Sequence, residues 1–215
     1  MVIKKIKATV FEKIILIFLI LLGVATFGAY FVILNKCLFI KNYNPKNINF
    51  KNPNNIAVLK APCGNVIIEL YPDVSPNAVE RFKTLIKTNA YDNVAFHRVI
   101  KNKLVQAGDL EFGKKGSLDY GKIGNGKSGL GTIKSEIDNN FNFLKGSVGL
   151  ARTFKNDTED SQFFIILQDE PLYDGEYTPI GKVLYGLDIL EKIKHQRHSE
   201  YVLRPNFIKS FKMLN

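Results

Sequence analysis

Cysteine and histidine are scarce in this 215-residue chain, with two of the first and three of the second. Cys37 and Cys63 are too few for a disulfide framework, and their separation matches no metal site. The plain expectation is two free thiols, with pairing between them left open. His195 and His198 fall at the end of a helical pattern and His97 stands elsewhere, so no paired metal-ligand spacing appears. No internal repeat is evident. Acidic residues are the minority charge, 20 against 30 Lys and Arg, for a net +10. Half of that excess sits in residues 1–41, which carry six Lys and one Glu. The remainder is a dispersed, solvated Lys surface, not a nucleic-acid footprint.

What is present is an ordinary globular mixture, 46% hydrophobic and 23% charged, enough for one domain plus extras. Residues 1–13 form a basic flank containing Lys4, Lys5, Lys7 and Lys13. Residues 14–34 carry no charge, and only Thr26 is clearly polar. As a helix they reach roughly 30 Å, the thickness of a bilayer core. A cleavable signal peptide with its site near Gly23-Val24-Ala25 is the rival, but the apolar run continues through Phe31-Val32-Ile33-Leu34. An uncleaved signal anchor is therefore expected, single-pass in the inner (cytoplasmic) membrane, with the soluble domain on the periplasmic side. Lysines on both flanks weaken the charge argument for that orientation. Residues 35–54, rich in Asn and Lys with Pro45 and Pro53, read as a flexible tether.

Residues 55–215 form the folded domain. Alternation predicts strands over Ile56–Lys60 and Val66–Tyr71, joined by the turn Pro62-Cys63-Gly64-Asn65. Ser75-Pro76 opens a helix, with Ser as cap and Val79, Phe82, Leu85 and Ile86 inward. Two short runs around Lys101-Asn102-Lys103 follow, in which Leu104 and Gln106 share a face. Leu110–Ser135 is a Gly-rich loop. Strands are expected over Ser147–Ala151, Gln162–Leu167, Thr178–Leu184 and Val202–Met213, with a second helix over Leu187–Lys194. The fold class is mainly β: an antiparallel barrel or sandwich with helices over its ends.

Two motifs are set aside on context. Gly121-Lys122-Ile123-Gly124-Asn125-Gly126-Lys127-Ser128 matches the phosphate-loop pattern letter for letter, which makes nucleotide binding a remote alternative. A buried strand should precede it, yet Lys114–Tyr120 is polar, and Gly129 and Gly131 spoil the helix that should follow. His97, Asp109 and Ser161 could make a hydrolase triad on paper, but no nucleophile-elbow sequence surrounds Ser161.

Phe96-His97-Arg98-Val99, Gln106-Ala107-Gly108-Asp109 and Ser161-Gln162-Phe163-Phe164-Ile165 together resemble the cyclophilin family of peptidyl-prolyl isomerases. Gly149-Leu150-Ala151-Arg152-Thr153 and Tyr177…Gly181-Lys182-Val183 fit the same pattern, and the Ala-Arg-Thr variant looks like the bacterial branch. The resemblance implies an eight-stranded antiparallel barrel capped by two helices. It implies acceleration of X-Pro rotation in proline-containing polypeptide segments, assisting protein folding, by a monomeric protein needing no cofactor and no metal. By position, Arg98 is the catalytic donor and Gln106 holds its geometry. Leu104, Phe164 and Leu172 wall the proline pocket, Gln162 and Tyr177 line its rim, and Arg152 and Thr153 offer backbone contacts. His97 and Lys103 are counted with the substrate-binding positions. The family usually has Pro, Gly and an aromatic where this chain has Lys101, Asn102 and Lys103. Leu172 stands where many members have Trp, so weak or no cyclosporin binding is expected. The alternative is a catalytically weak domain of the same fold that binds proline segments as a chaperone.

Overall fold

The computed structural model describes residues 9–214. The chain divides into two compact units between Phe39 and Ile40.

In the first unit, helix α1 spans Val10–Leu34 and so begins four residues before the expected span. A reciprocal cap explains the early start: Thr9 N–H donates to Glu12 Oε2 at 2.6 Å, and Glu12 N–H donates to Thr9 Oγ1 at 3.3 Å. Val10–Val32 has a mean hydropathy of 2.6 and is long and apolar enough to cross a membrane. Beyond Glu12 and Lys13 in its first turn, the Thr26 hydroxyl is satisfied within the helix, since Thr26 Oγ1 donates to Gly23 O at 3.0 Å. Lys4, Lys5 and Lys7 of the expected basic flank lie outside the described residues. Both cysteines are disulfide-bonded, so the expectation of free thiols is corrected. A single cysteine pair leaves no connectivity pattern for sequence reading to find.

The second unit starts earlier than the expected domain. Ile40 packs on the core, and the residues just after it, read as tether, make contacts with the folded body. Asn65 N–H donates to Asn42 Oδ1, Asn65 Nδ2 donates to Tyr43 O, and the Tyr43 and Tyr185 rings sit 5.0 Å apart.

The eight strands are β1 Ile56–Ala61, β2 Gly64–Leu70, β3 Arg98–Ile100, β4 Leu104–Ala107, β5 Ser147–Leu150, β6 Phe163–Ile166, β7 Pro179–Tyr185 and β8 Ser210–Met213. They form one antiparallel sheet in the order β3-β4-β6-β5-β7-β2-β1-β8. Its edges are brought together by bridges Arg98↔Tyr201 and Ala95↔Phe207, through which the approach to β8 pairs along the β3 side. Unpaired edges invite association, and this wrapping covers one of them.

Helix α2, Pro76–Lys87, lays Ala78, Val79, Phe82, Leu85 and Ile86 on the sheet. Phe82 meets Phe163 and Phe211 edge-on at 5.1 and 5.6 Å, the arrangement favoured by ring quadrupoles. Its N-terminus is capped differently from expectation. Buried Ser75 turns its hydroxyl to Pro179 O at 2.6 Å, and the Glu136 carboxylate accepts from Asn77 N and Ala78 N at 3.1 and 2.8 Å.

Two expected elements are shorter. The second soluble helix is one α-turn, α3 Leu187–Leu190, continued by i→i−3 bonds from Lys192 and Ile193. The inward spacing of Leu187, Leu190 and Ile193 has period three, which suits that tighter winding. The last strand is confined to β8 because Arg204 adopts φ 56° and Pro205 offers no donor.

Candidate active site

Strand register puts the chemistry in one row. Arg98 pairs with Gln106, Gln106 with Phe164, and Phe164 with Gly149, across β3, β4, β6 and β5. Leu104, two residues from Gln106, points to the same face. Phe164 can lie flat only because Gly149 has no side chain: a Cβ there would come within 2.5 Å of Phe164 Cζ.

Along this row runs a side-chain relay. Arg98 Nη1 donates to Gln106 Oε1 at 3.0 Å, and Gln106 Nε2 donates to Gln162 Oε1 at 3.1 Å. Gln162 Nε2 then donates to Gly124 O and Gly126 O at 2.9 and 3.1 Å. Each amide therefore has its orientation set by the next, and the guanidinium is held at the end. Arg98, Leu104, Gln106, Phe164, Tyr173 and Tyr177 line a cavity of about 190 Å³. Apolar rings make its base: Phe164 lies 5.5 Å from Tyr173 and 5.1 Å from Tyr177, both edge-on. A second cavity of about 400 Å³ shares Gln106, Gly124, Ala151 and Arg152 with the first, and adds Thr153 and Gln162.

Arg98, Leu104, Gln106, Arg152, Phe164 and Tyr177 thus converge on the smaller cavity, while Thr153 and Gln162 line its neighbour. Arg152 folds its guanidinium over the Tyr177 ring at 5.0 Å and bonds to the Glu176 carboxylate at 3.0 Å.

Three expected positions do not reach the cavity. Leu172 is 80% exposed on a short 3₁₀ turn, Pro171–Tyr173, and the turn delivers Tyr173 instead. Leu172 is placed by resemblance alone, and no pattern in the sequence shows which of two adjacent residues a tight turn points inward. Lys103 sends its ammonium to buried Glu170 at 2.6 Å, with the head 5.9 Å from the Tyr173 ring centroid. The Glu170 hydrogen bond raises the Lys103 pKa. The lysine stem therefore leaves the pocket wall to Tyr173. His97 is buried beneath Tyr201, its ring stacked at 6.4 Å. Neither imidazole nitrogen meets hydrogen-bond geometry, although Ala95 and Gln162 lie close enough to favour its charged form. Burial dominates and lowers its pKa to about 4, against a smaller opposing pull from Asp109.

The two motifs set aside can be followed to their occupants. Asp109, fully buried, accepts from Gly124 N and Gly126 N at 2.6 and 3.0 Å through Oδ2, and from Phe112 N at 2.7 Å through Oδ1. Ser128 N and Oγ both go to Asp160. The amides and hydroxyl that a phosphate and its metal would need are already satisfied by carboxylates. Ser161 Oγ donates to Gly108 O at 2.8 Å, so it makes no triad with His97. Among the described residues, no group of three or more His, Cys, Asp or Glu is placed to hold a metal.

Sequence reading missed Tyr173, Glu200 and Tyr201. Tyr201 lines the cavity, and Glu200 accepts from Arg98 Nε at 2.7 Å and pairs with Nη2 at the same distance. Both come from a segment about a hundred residues from Arg98 with no local motif, brought alongside it at the Arg98↔Tyr201 bridge.

A family model described as "Cyclophilin type peptidyl-prolyl cis-trans isomerase/CLD" matches residues 56–213. A probable peptidyl-prolyl cis-trans isomerase of Brucella suis is 40% identical over 151 residues, covering 69% of this chain and 76% of that protein. The peptidyl-prolyl cis-trans isomerase of Acinetobacter baylyi is 32% identical over 158 residues, 71% of this chain and 79% of its own. A cyclophilin type isomerase of Cryptosporidium parvum, crystallised in the presence of the dipeptide Ala-Pro, superposes with a TM-score of 0.64 at 25% identity. The match covers 74% of this chain and 99% of that one. The chain belongs to the cyclophilin-type peptidyl-prolyl cis-trans isomerases. It is an enzyme of that activity, carried on an eight-stranded antiparallel sheet and preceded by one apolar helix.

Proposed function

We propose that the cavity at Arg98 is where the isomerase turns its X-Pro bond, and that it does so on extended segments of protein substrates outside the cytoplasm. Rotation about an amide costs about 18–20 kcal/mol because the C–N bond has double-bond character. Halfway through, the prolyl nitrogen regains its lone pair and can accept a hydrogen bond. A donor placed there binds the twisted form better than either planar form, and each 1.36 kcal/mol of that difference is worth about tenfold in rate. A guanidinium is always charged and donates in a fixed plane, which suits Arg98 to this work.

The observation that carries this reading is Arg98, fixed by Gln106, at the mouth of a ring-floored cavity of about 190 Å³. Leu104, Phe164, Tyr173 and Tyr177 would hold the pyrrolidine ring, and the shared edge with the larger cavity would receive the preceding residues. The Ala-Pro dipeptide present with the Cryptosporidium relative is in keeping with a proline-sized occupant. For placement, α1 would act as an uncleaved anchor, and the disulfide-bonded state of Cys37 and Cys63 suits an oxidising compartment.

A protease-free isomerisation assay on an X-Pro peptide, using the full chain in detergent, tests the site. Arg98→Ala should lose most of the acceleration while still binding peptide. Equal rates for wild type and Arg98→Ala would remove Arg98 from the mechanism. For placement, protease added to intact spheroplasts should degrade the domain, and protection would refute the periplasmic assignment.

A further inference from the structure

We infer that Glu200 is a positioning residue for catalysis: it orients the Arg98 guanidinium from outside the cavity. The inference rests on the reading of Arg98 as the donor to the twisted amide. Arg98 stands on edge strand β3, where one side has no strand neighbour to fix a long side chain. The segment before β8 supplies what is missing. Val99 N–H donates to Glu200 O at 2.8 Å and Val202 N–H donates to His97 O at 2.9 Å, so the Glu200 backbone is fixed alongside Arg98. Its carboxylate then takes Arg98 Nε and Nη2 through Oε2, each at 2.7 Å.

A guanidinium has five N–H groups in one plane. Glu200 occupies one on Nε and one on Nη2, and Gln106 occupies one on Nη1. Anchoring at all three nitrogens sets both the position and the tilt of the plane. One N–H remains on each terminal nitrogen, and these are the donors available to a substrate. Gln106 alone would leave the plane free to swing about a single bond. Glu200 itself does not line the cavity, so its action passes through Arg98. Being half exposed, it contributes little to folding, since water screens the pair and competes for both groups.

The test is a double-mutant cycle on the full chain in detergent, with isomerisation followed on an X-Pro peptide. Glu200→Ala should lower kcat roughly threefold to tenfold with little change in KM and none in Tm, because orientation is lost and binding surface is not. In an Arg98→Ala background the same substitution should have no effect. The Arg98 Nε–H resonance, sharp and displaced in wild type, should return toward that of a solvated arginine in Glu200→Ala. An unchanged or raised kcat in Glu200→Ala would overturn the inference and leave Arg98 catalytic. So would a loss that persists undiminished without Arg98, or one matched by a fall in Tm. Full activity in Arg98→Ala would overturn both this inference and the reading beneath it.

Discussion

His97 makes the stability of this isomerase depend on acid in a way that can be separated from its carboxylates. The side chain is 1% exposed and its pKa is about 4, chiefly because burial penalises the imidazolium. In the unfolded chain it titrates near 6.5. Between those values the unfolded state binds a proton that the folded state refuses, so stability rises with pH through this window. His97 thus contributes its full share above about pH 6.5, and that share is lost as pH falls toward 4. Below 4 both states are protonated and the loss is complete. At about 1.36 kcal/mol per pH unit, the gap between 6.5 and 4 amounts to about 3 kcal/mol. Urea unfolding of the full chain in detergent, from pH 7 to pH 4, would measure it in wild type and in His97→Phe. The variant will start at a different stability, because a slightly larger ring must fit a closed site. Carboxylate titration is common to both proteins and cancels in the difference. Wild type should lose about 3 kcal/mol more than His97→Phe across the range. Parallel curves would show that burial does not hold His97 neutral.

Other expected outcomes follow from contacts already described. Gly149→Ala should push Phe164 out of the cavity floor, lowering activity on X-Pro peptides and destabilising by about 1–3 kcal/mol through overpacking; an unchanged rate would show that the floor tolerates displacement. Glu136→Ala should cost about 1 kcal/mol in urea unfolding, because Asn77 and Ala78 lose their cap, whereas Ser75→Ala would remove a bond to Pro179 and no cap. Asp109→Ala should free the amides of Gly124 and Gly126 and raise hydrogen exchange there. It should weaken folding by about 1–3 kcal/mol for buried donors left unpaired, and unaltered exchange at both glycines would refute this.

Much of the molecule was legible because it depends on local pattern. Strands such as β2 and β6 declared themselves by composition, and α2 by its inward Val79, Phe82, Leu85 and Ile86. Arg98, Gln106 and Phe164 were legible through the motifs that resemble the cyclophilin family, and the strand register then sets them in one row. What stayed hidden depends on contacts remote in sequence or on winding that breaks a simple period. Glu200 and Tyr201 meet the site only where the chain returns along β3, and Glu136 reaches its helix from a loop some sixty residues away. Tyr173 replaced Leu172 because one tight turn rotated the chain. The direction of the Lys103 side chain was equally hidden, because it is set by Glu170, a partner that no spacing rule links to it.

The Gly-rich loop beside the site carries its own resident anion. Its letters describe a backbone whose N–H groups can converge on negative charge, and they are silent on whose charge that is. Here Asp109 and Asp160 arrive covalently attached, at an effective concentration no dissolved phosphate could match. A segment that elsewhere would be a receptor has become a fastening. It also passes that rigidity on, since the carbonyls of Gly124 and Gly126 hold Gln162, and through it Gln106 and Arg98. The order at Arg98 thus rests in part on a loop whose letters spell a phosphate-binding pattern and whose amides its own carboxylates already fill.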